Sequence, residues 1–177
     1  MRLSEFKQVV ADLMKREYTI GGKQWHAKSL CYCRKKVLEQ DYYDVMANDI
    51  VVLGTLVHLG VDAITRYEGN VFKKEVGGYI VKGTPDLMNG DDIIEVKFTA
   101  YPPKEAREHD VLQLKIYLWL LDREKGYLWY LTPFGFREFE IESTLTDEDI
   151  LDLIEKPRIP FWDWECKYCK VVDCVLR

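Results

Sequence analysis

The five cysteines of this chain lie near its two ends, and they therefore constrain how those ends can meet. Cys31 and Cys33 stand near the start, whereas Cys166, Cys169 and Cys174 stand near the finish. In a reducing compartment, a Cys-x-x-Cys pair indicates metal ligation rather than structural disulfides. A four-thiolate site that draws on both ends would hold the fold closed, although a zinc site or a set of inert buried thiols would leave the same pattern.

The length and composition are those of one globular domain. The 177 residues fall within the roughly 100 to 200 residues of a typical domain, so we expect a single domain over 1–177. Of these residues 47% are hydrophobic and 31% are charged, and no apolar run approaches the roughly 18 residues of a membrane span. Charged residues interrupt the N-terminal positions where a signal peptide has its apolar core, so we expect a cytoplasmic protein with no membrane partner.

The net charge of −5 excludes the strongly basic overall surface that attracts nucleic acids from a distance. Any contact with DNA must therefore come from local patches. Candidates are the basic runs 34–36 and 73–74 and the aromatic segment around Phe161, Trp162 and Trp164. Each of these could equally be a solvated face or part of the core.

The hydrophobic periodicity predicts an alternation of helices and extended segments. Gly77-Gly78 and Asn89-Gly90 are tight-turn signals between extended runs, and Thr146 with Asp149 has the spacing of a helix capping box. The expected class is an α/β fold with a mixed central sheet flanked by helices. The predicted helices cover 4–17, 33–38, 53–66 and 105–123, with a last helix opening at Thr146, and the predicted strands cover 71–76, 79–82, 93–98, 127–131 and 136–141.

Asp86, Glu95 and Lys97 form a pattern that suits metal-dependent phosphodiester cleavage. Asp86 follows one strand and Glu95 lies on the next, across the Asn89-Gly90 turn, so both carboxylates could bind one hard cation. The carbonyl oxygen of Val96 could add a third oxygen. Lys97 shares a strand face with Glu95, which would place an ammonium group near the attacking water or the developing phosphate charge. Charged residues also decorate ordinary turns and sheet surfaces, so these residues alone are weak evidence.

His58 is a further candidate ligand, on the helix predicted for 53–66. A nitrogen ligand added to an oxygen set would favour Mn²⁺ as a partner alongside Mg²⁺. A single helical histidine is more often a core or surface residue than a ligand, so the assignment of His58 depends on the neighbouring motifs.

Four motifs occur in an order that closely resembles the RecB-like nucleases of the PD-(D/E)xK superfamily. They are 54–58 (GTLVH), 83–86 (GTPD), 95–97 (EVK) and 113–117 (QLKIY). The resemblance implies a restriction-endonuclease-like core with a metal site and a catalytic lysine. The implied metal ligands are His58, Asp86, Glu95 and the carbonyl of Val96, and the implied catalytic residues are Asp86, Glu95 and Lys97.

The same resemblance places the helix that carries Gln113 and Tyr117 beside the DNA path. The two residues are one helical turn apart, so both could face that path and bind DNA. Surface exposure and core packing would be the preferred explanation of Gln113 and Tyr117 if the other three motifs were missing.

The first cysteine segment resembles that of one particular group within this superfamily. Residues 33–38 (CRKKVL) are similar to the helix start of CRISPR-associated RecB-like exonucleases that carry an iron-sulfur cluster, with one cysteine before the nuclease core and three after it. This implies a cluster region formed by about 29–38 and 160–177. The resemblance favours iron-sulfur over zinc and a four-iron over a two-iron cluster, but spacing alone decides neither, and Cys31 stays an alternative ligand. The implied ligands are Cys33, Cys166, Cys169 and Cys174.

The resemblance implies a metal-dependent DNA exonuclease that acts on single-stranded ends, 5′ to 3′, during CRISPR adaptation. There it would process spacer precursors for the integrase proteins in antiviral defence, and its oligomeric state stays open. One alternative is a non-catalytic DNA-binding or assembly module that presents DNA to the integrase. Another is a viral or replication-associated nuclease of the same family.

Overall fold

The computed structural model describes residues 5–7, 9–10, 22–39, 49–67, 69–169, 171 and 174, without the side chains of Glu39, Val51 and Tyr168. Residues 5–7 and 9–10 are helical, as predicted for 4–17, and the rest of that predicted helix lies outside the described residues. None of the helices within these ranges is long and apolar enough to cross a bilayer.

Helices and strands alternate along the described chain in an α/β order. The elements are β1 (Gln24–His26), a 3₁₀ helix (Ala27–Cys31), α1 (Arg34–Glu39), α2 (Asp49–Thr65), β2 (Phe72–Val76), β3 (Tyr79–Gly83), β4 (Leu87–Asn89), β5 (Asp92–Phe98), α3 (Glu108–Leu120), β6 (Lys125–Thr132), β7 (Gly135–Glu142), α4 (Asp147–Glu155) and α5 (Glu165–Tyr168).

The strands form two mixed sheets rather than the single mixed sheet that the sequence predicted. In the first sheet the order is β1-β3-β2, with β1 parallel to β3 and β2 antiparallel to it. In the second the order is β4-β5-β6-β7, in which only β5 and β6 are parallel. The sequence analysis did not predict β1, the partner of β3, because a strand of three residues is too short to show a period-two pattern.

Helix α3 connects the parallel strands β5 and β6 and packs in the larger core. Leu114, Ile116 and Leu118 of this helix are fully buried, in one cluster with Ile93 of β5 and Tyr130 of β6. The helix is shorter at both ends than the predicted 105–123, because Arg107 is extended at its start and Asp122 has a φ of 52° just after its end. A left-handed residue of this kind commonly ends a helix.

Strand β5 is covered on both faces, which fixes the surroundings of the candidate site. Ile93 points into the core beneath α3, whereas Ile94 and Val96 pack with Val57 and Val61 of α2. Alternate side chains of one strand point to opposite faces, so Glu95 and Lys97 lie on the α3 side. The strand is therefore a continuous buried run rather than a half-exposed alternation.

Two local predictions are confirmed by the backbone. Gly77 and Gly78 both have positive φ angles, 54° and 81°, in the β2–β3 turn, where a two-residue hairpin needs them. At the start of α4, the Thr146 side chain accepts from the backbone N–H of Asp149 while the Asp149 carboxylate accepts from that of Thr146. These elements are specified by neighbouring residues alone, which is why the sequence reveals them.

Candidate functional site

Asp86 and Glu95 lie side by side across the β4–β5 hairpin. Leu87 pairs with Ile94 in this antiparallel ladder, so the residue before Leu87 comes beside Glu95. There Asp86 accepts a 2.9 Å hydrogen bond from the backbone N–H of Val96. Glu95 itself is 2% exposed. The ladder thus brings together two carboxylates that are nine positions apart in the sequence.

His58 approaches the Asp86 carboxylate from α2. Its Nδ1 atom lies 3.3 Å from Oδ1 of Asp86. Burial would lower the pKa of His58, but the hydrogen bond and charge of Asp86 outweigh burial and raise it. Burial would likewise raise the pKa of Asp86, but His58 and the Lys97 ammonium lower it overall. Asp86 therefore favours its ionised form, the form that can bind a cation.

Lys97 lies next to Glu95 and Gln113 on the α3 side of the sheet. Its Nζ atom is 2.6 Å from Oε1 of Glu95 and donates to Oε1 of Gln113 at 2.9 Å. The Gln113 amide also donates from Nε2 to the same Glu95 oxygen, at 2.7 Å. The Glu-x-Lys spacing therefore places both side chains on one face, as the sequence predicted.

Burial and charge set the protonation of this pair. Burial, then the negative charge of Asp86, raises the pKa of Glu95 to about 7. Burial would lower the pKa of Lys97, but the charges of Glu95, Asp110 and Asp86 raise it well above its usual value. Nearby carboxylates thus raise both pKa values, with burial the larger cause for Glu95. A cation bound here would compete with the proton on Glu95.

Gln113 and Tyr117 are buried rather than open to solvent. Gln113 is 3% exposed and Tyr117 is 2% exposed, and the Gln113 amide donates to the Tyr117 hydroxyl at 3.1 Å. One helical turn does place them on one face of α3, but that face meets Glu95 and Lys97. Gln113 contacts both of those residues and Tyr117 contacts Gln113, while their contact with DNA stays a prediction.

Asp110 and Tyr130 belong to the same network, although the sequence analysis did not identify them. Asp110 is 4% exposed, and its Oδ1 atom lies 3.7 Å from Nζ of Lys97. Its Oδ2 atom accepts a 2.7 Å hydrogen bond from the Tyr130 hydroxyl. The spacing of Asp110 with Gln113 and Tyr117 along one helix face could have identified Asp110 from the sequence.

The donor set of this site fits a divalent cation. The charges of three carboxylates, Asp86, Glu95 and Asp110, all raise the pKa of the Lys97 ammonium group. Negative charge is therefore in excess around this lysine. Oε2 of Glu95 is buried and has no hydrogen-bond partner within the described part of the chain. A buried acceptor of that kind calls for a ligand.

The side chains of the site would have to rearrange to hold that ion. Among the described residues, no group of three or more His, Cys, Asp or Glu side chains could hold a metal ion as it stands. The His58–Asp86 contact and the Glu95–Lys97 contact would open to the extent that these carboxylates turn to the cation.

Four cysteines line one pocket between the two ends of the described chain. They are Cys33, from the N-terminal segment, and Cys166, Cys169 and Cys174 from the C-terminal segment. Burial, followed by the charges of the other three cysteines, raises the pKa of the Cys166 thiol. Cys31 lies instead in the core, where its thiol donates to the carbonyl of Ala27 at 3.4 Å and burial raises its pKa.

Glu165 joins the two cysteine segments directly, a contact that the sequence analysis did not predict. Its carboxylate is 1% exposed and accepts from the backbone N–H groups of Cys33, Phe161 and Trp162, at 3.0 to 3.2 Å. The ammonium group of Lys36 lies 3.8 Å from its Oε1 atom. Cys33 is therefore held next to Cys166 by the residue that precedes Cys166.

Comparison with known proteins identifies the family. No family model matches the sequence. The CRISPR-associated exonuclease Cas4 of Saccharolobus solfataricus is 31% identical over 167 residues, covering 81% of this chain and 83% of the relative. The crystal structure of SSO0001 matches with a TM-score of 0.77 and 26% identity, covering 96% of this chain and 94% of that chain. These similarities confirm the resemblance of the ordered motifs, and the chain belongs to the Cas4 family of CRISPR-associated, RecB-like exonucleases.

Proposed function

We propose that this nuclease is a metal-dependent exonuclease that digests single-stranded DNA ends in the 5′-to-3′ direction. The observation that carries the proposal is that Asp86 and His58 converge on Glu95 and Lys97 of β5 in a member of an exonuclease family. A non-catalytic DNA-binding module would have no need of a half-buried lysine in contact with the buried Glu95 carboxylate.

The proposed site has two parts, a set of metal ligands and the catalytic residue Lys97. His58, Asp86, Glu95 and the backbone carbonyl of Val96 would hold Mn²⁺ or Mg²⁺, which polarises a phosphate and lowers the pKa of a bound water. Lys97, kept charged by its neighbours, would stabilise the negative charge that develops on the scissile phosphate. Gln113 and Tyr117 would support Glu95 and Lys97 beside the DNA path.

We also propose that Cys33, Cys166, Cys169 and Cys174 bind an iron-sulfur cluster, of the four-iron type. The shared pocket supports this ligand set, because it takes in Cys33 and leaves Cys31 in the core. Thiolates are the usual ligands of such clusters. The cluster would be structural, joining the segments 29–38 and 160–177 into the single domain 1–177.

The choice between Cys33 and Cys31 gives a direct prediction. Purified anaerobically, Cys33→Ala should lose most of its iron and visible absorbance and unfold at lower temperature, because cluster binding contributes folding free energy. Cys31→Ala is the matched control and should keep its iron, since its thiol contacts only the core. Iron analysis with thermal melts measures both. Full iron in Cys33→Ala with loss in Cys31→Ala would reverse the assignment.

The proposed setting is CRISPR adaptation in the cytoplasm. There the enzyme would trim spacer precursors before integration and work with the integrase proteins. The membership of the chain in a CRISPR-associated family supports this setting. Co-purification with the integrase from the host would test the partnership.

Cleavage of end-labelled DNA tests the catalytic proposal. We expect degradation of single-stranded DNA with Mn²⁺ or Mg²⁺ and none with chelator, because the carboxylate excess at Glu95 has to be balanced by a cation before phosphate can approach. Oligonucleotides blocked at the 5′ or at the 3′ end report polarity, and the 5′ block should protect. DNA that is bound but not cut under any metal would favour the binding module instead.

A further inference from the structure

Lys97 has a second carboxylate partner besides Glu95. Oδ1 of Asp110 lies 3.7 Å from its Nζ atom, compared with 2.6 Å for Oε1 of Glu95. Both carboxylates are nearly inaccessible, with side chains 5% and 3% exposed. Since a buried carboxylate is costly unless it is paired and hydrogen-bonded, the presence of two beside one lysine requires a reason.

The position of Asp110 is fixed by Tyr130. The Tyr130 hydroxyl donates to Oδ2 of Asp110 at 2.7 Å and accepts from the backbone N–H of Arg107 at 3.0 Å. Tyr130 is fully buried on β6, directly across the parallel ladder from Lys97. Strand β6 thus holds the Asp110 carboxylate at a set distance from Lys97, with Oδ1 left to face the ammonium and, at 3.4 Å, Nε2 of His109.

The ion pair between Glu95 and Lys97 would weaken while Glu95 binds a cation. Its Oε1 atom already accepts from both Lys97 and Gln113, and its other oxygen has no hydrogen-bond partner within the described residues. A divalent cation would draw the charge of Glu95 toward itself and weaken the Glu95–Lys97 attraction. Lys97 would then depend on Gln113 and on the remaining carboxylate.

We propose that Asp110, held by Tyr130, is a positioning residue that keeps the Lys97 ammonium in place when Glu95 engages the metal. The proposal rests on the catalytic role of Lys97 proposed above. It assigns Asp110 and Tyr130 to the turnover step and not to DNA binding, since both are buried. A purely structural helix-start carboxylate would affect folding and DNA binding together, without a selective effect on turnover.

Asp110→Asn and Tyr130→Phe test the proposal in the iron-loaded protein. Asp110→Asn keeps the shape and the hydrogen bond to Tyr130 but removes the charge, and we expect a roughly 10- to 100-fold lower single-turnover cleavage rate. Tyr130→Phe should lower the rate in the same direction by a smaller factor. The Kd for single-stranded DNA, measured by anisotropy with Ca²⁺, should stay within about twofold of wild type, since neither side chain reaches the surface.

Tyr127→Phe is the matched control, because Tyr127 lies on the same strand but packs on the α2 side of the sheet. It should leave the cleavage rate unchanged. Wild-type rates in both Asp110→Asn and Tyr130→Phe, with Lys97→Met inactive, would overturn this inference alone. An active Lys97→Met would overturn the lysine role and this inference with it. A rate loss matched by an equal loss of DNA affinity or of folded protein would assign Asp110 to structure.

Discussion

Lys97→Met should cleave single-stranded DNA on the order of 10³-fold more slowly than the wild-type protein at saturating Mn²⁺. Methionine matches the aliphatic stem of lysine and removes the ammonium group that contacts Glu95 and Gln113. Because Lys97 is expected to stabilise charge only in the transition state, DNA affinity should change little. Single-turnover cleavage and anisotropy, measured on the same preparation, separate the two effects.

The same substitution should also change stability in a way that reports the site. In Lys97→Met, the buried Glu95 carboxylate loses its neutralising partner beside Asp86. This loss should lower the free energy of unfolding, measured in chelator, by up to about 3 kcal/mol. Glu95→Gln removes that carboxylate, so the Glu95→Gln/Lys97→Met protein should be less destabilised than the sum of the two single variants. Urea unfolding in chelator measures the difference.

Lys156→Met is the control for this pair, because the side chain of Lys156 is 72% exposed and its ion pair with Asp152 lies on the surface. Its cleavage rate and unfolding free energy should match those of the wild type. Cleavage by Lys97→Met at the wild-type rate would remove the lysine from the mechanism. Strict additivity of the two single variants would show that Glu95 and Lys97 do not interact in solution.

The elements that the sequence predicted well are those specified by nearby residues. The Gly77-Gly78 turn, the Asn89-Gly90 turn and the Thr146 cap each depend on a local backbone requirement. The β4–β5 hairpin then follows from its turn, and with it the meeting of Asp86 and Glu95. The core of the candidate site could therefore be predicted from sequence, because one local hairpin brings its two carboxylates together.

The parts that the sequence did not reveal depend on contacts between distant segments. Asp110 meets Tyr130 across 20 positions, and Glu165 meets Cys33 across 132. Periodicity shows which residues share a helix face but not what that face will meet, so it did not reveal that Gln113 contacts Glu95 and Tyr117 contacts Gln113. Such partners are set by packing and not by local spacing.

Glu165 is the residue through which this packing joins the two ends of the fold. Its carboxylate accepts hydrogen bonds from three backbone N–H groups, all of which lie outside the described helices and strands. The Trp162 indole adds a second link, since its Nε1 donates to the carbonyl of Cys31 at 2.8 Å. The cysteine pocket should therefore be partly formed before any cluster binds.

Glu165→Ala should lower the free energy of unfolding by roughly 3 to 5 kcal/mol, because it leaves those donors and the Lys36 ammonium without their buried acceptor. Glu165→Gln retains one acceptor oxygen and should lose less. Glu155→Ala, at an exposed position on α4, should stay within about 0.5 kcal/mol of wild type. Urea unfolding of the iron-free proteins measures these differences without any contribution from the cluster. An iron-free Glu165→Ala as stable as Glu155→Ala would show that the two ends are joined by the cluster and not by this carboxylate.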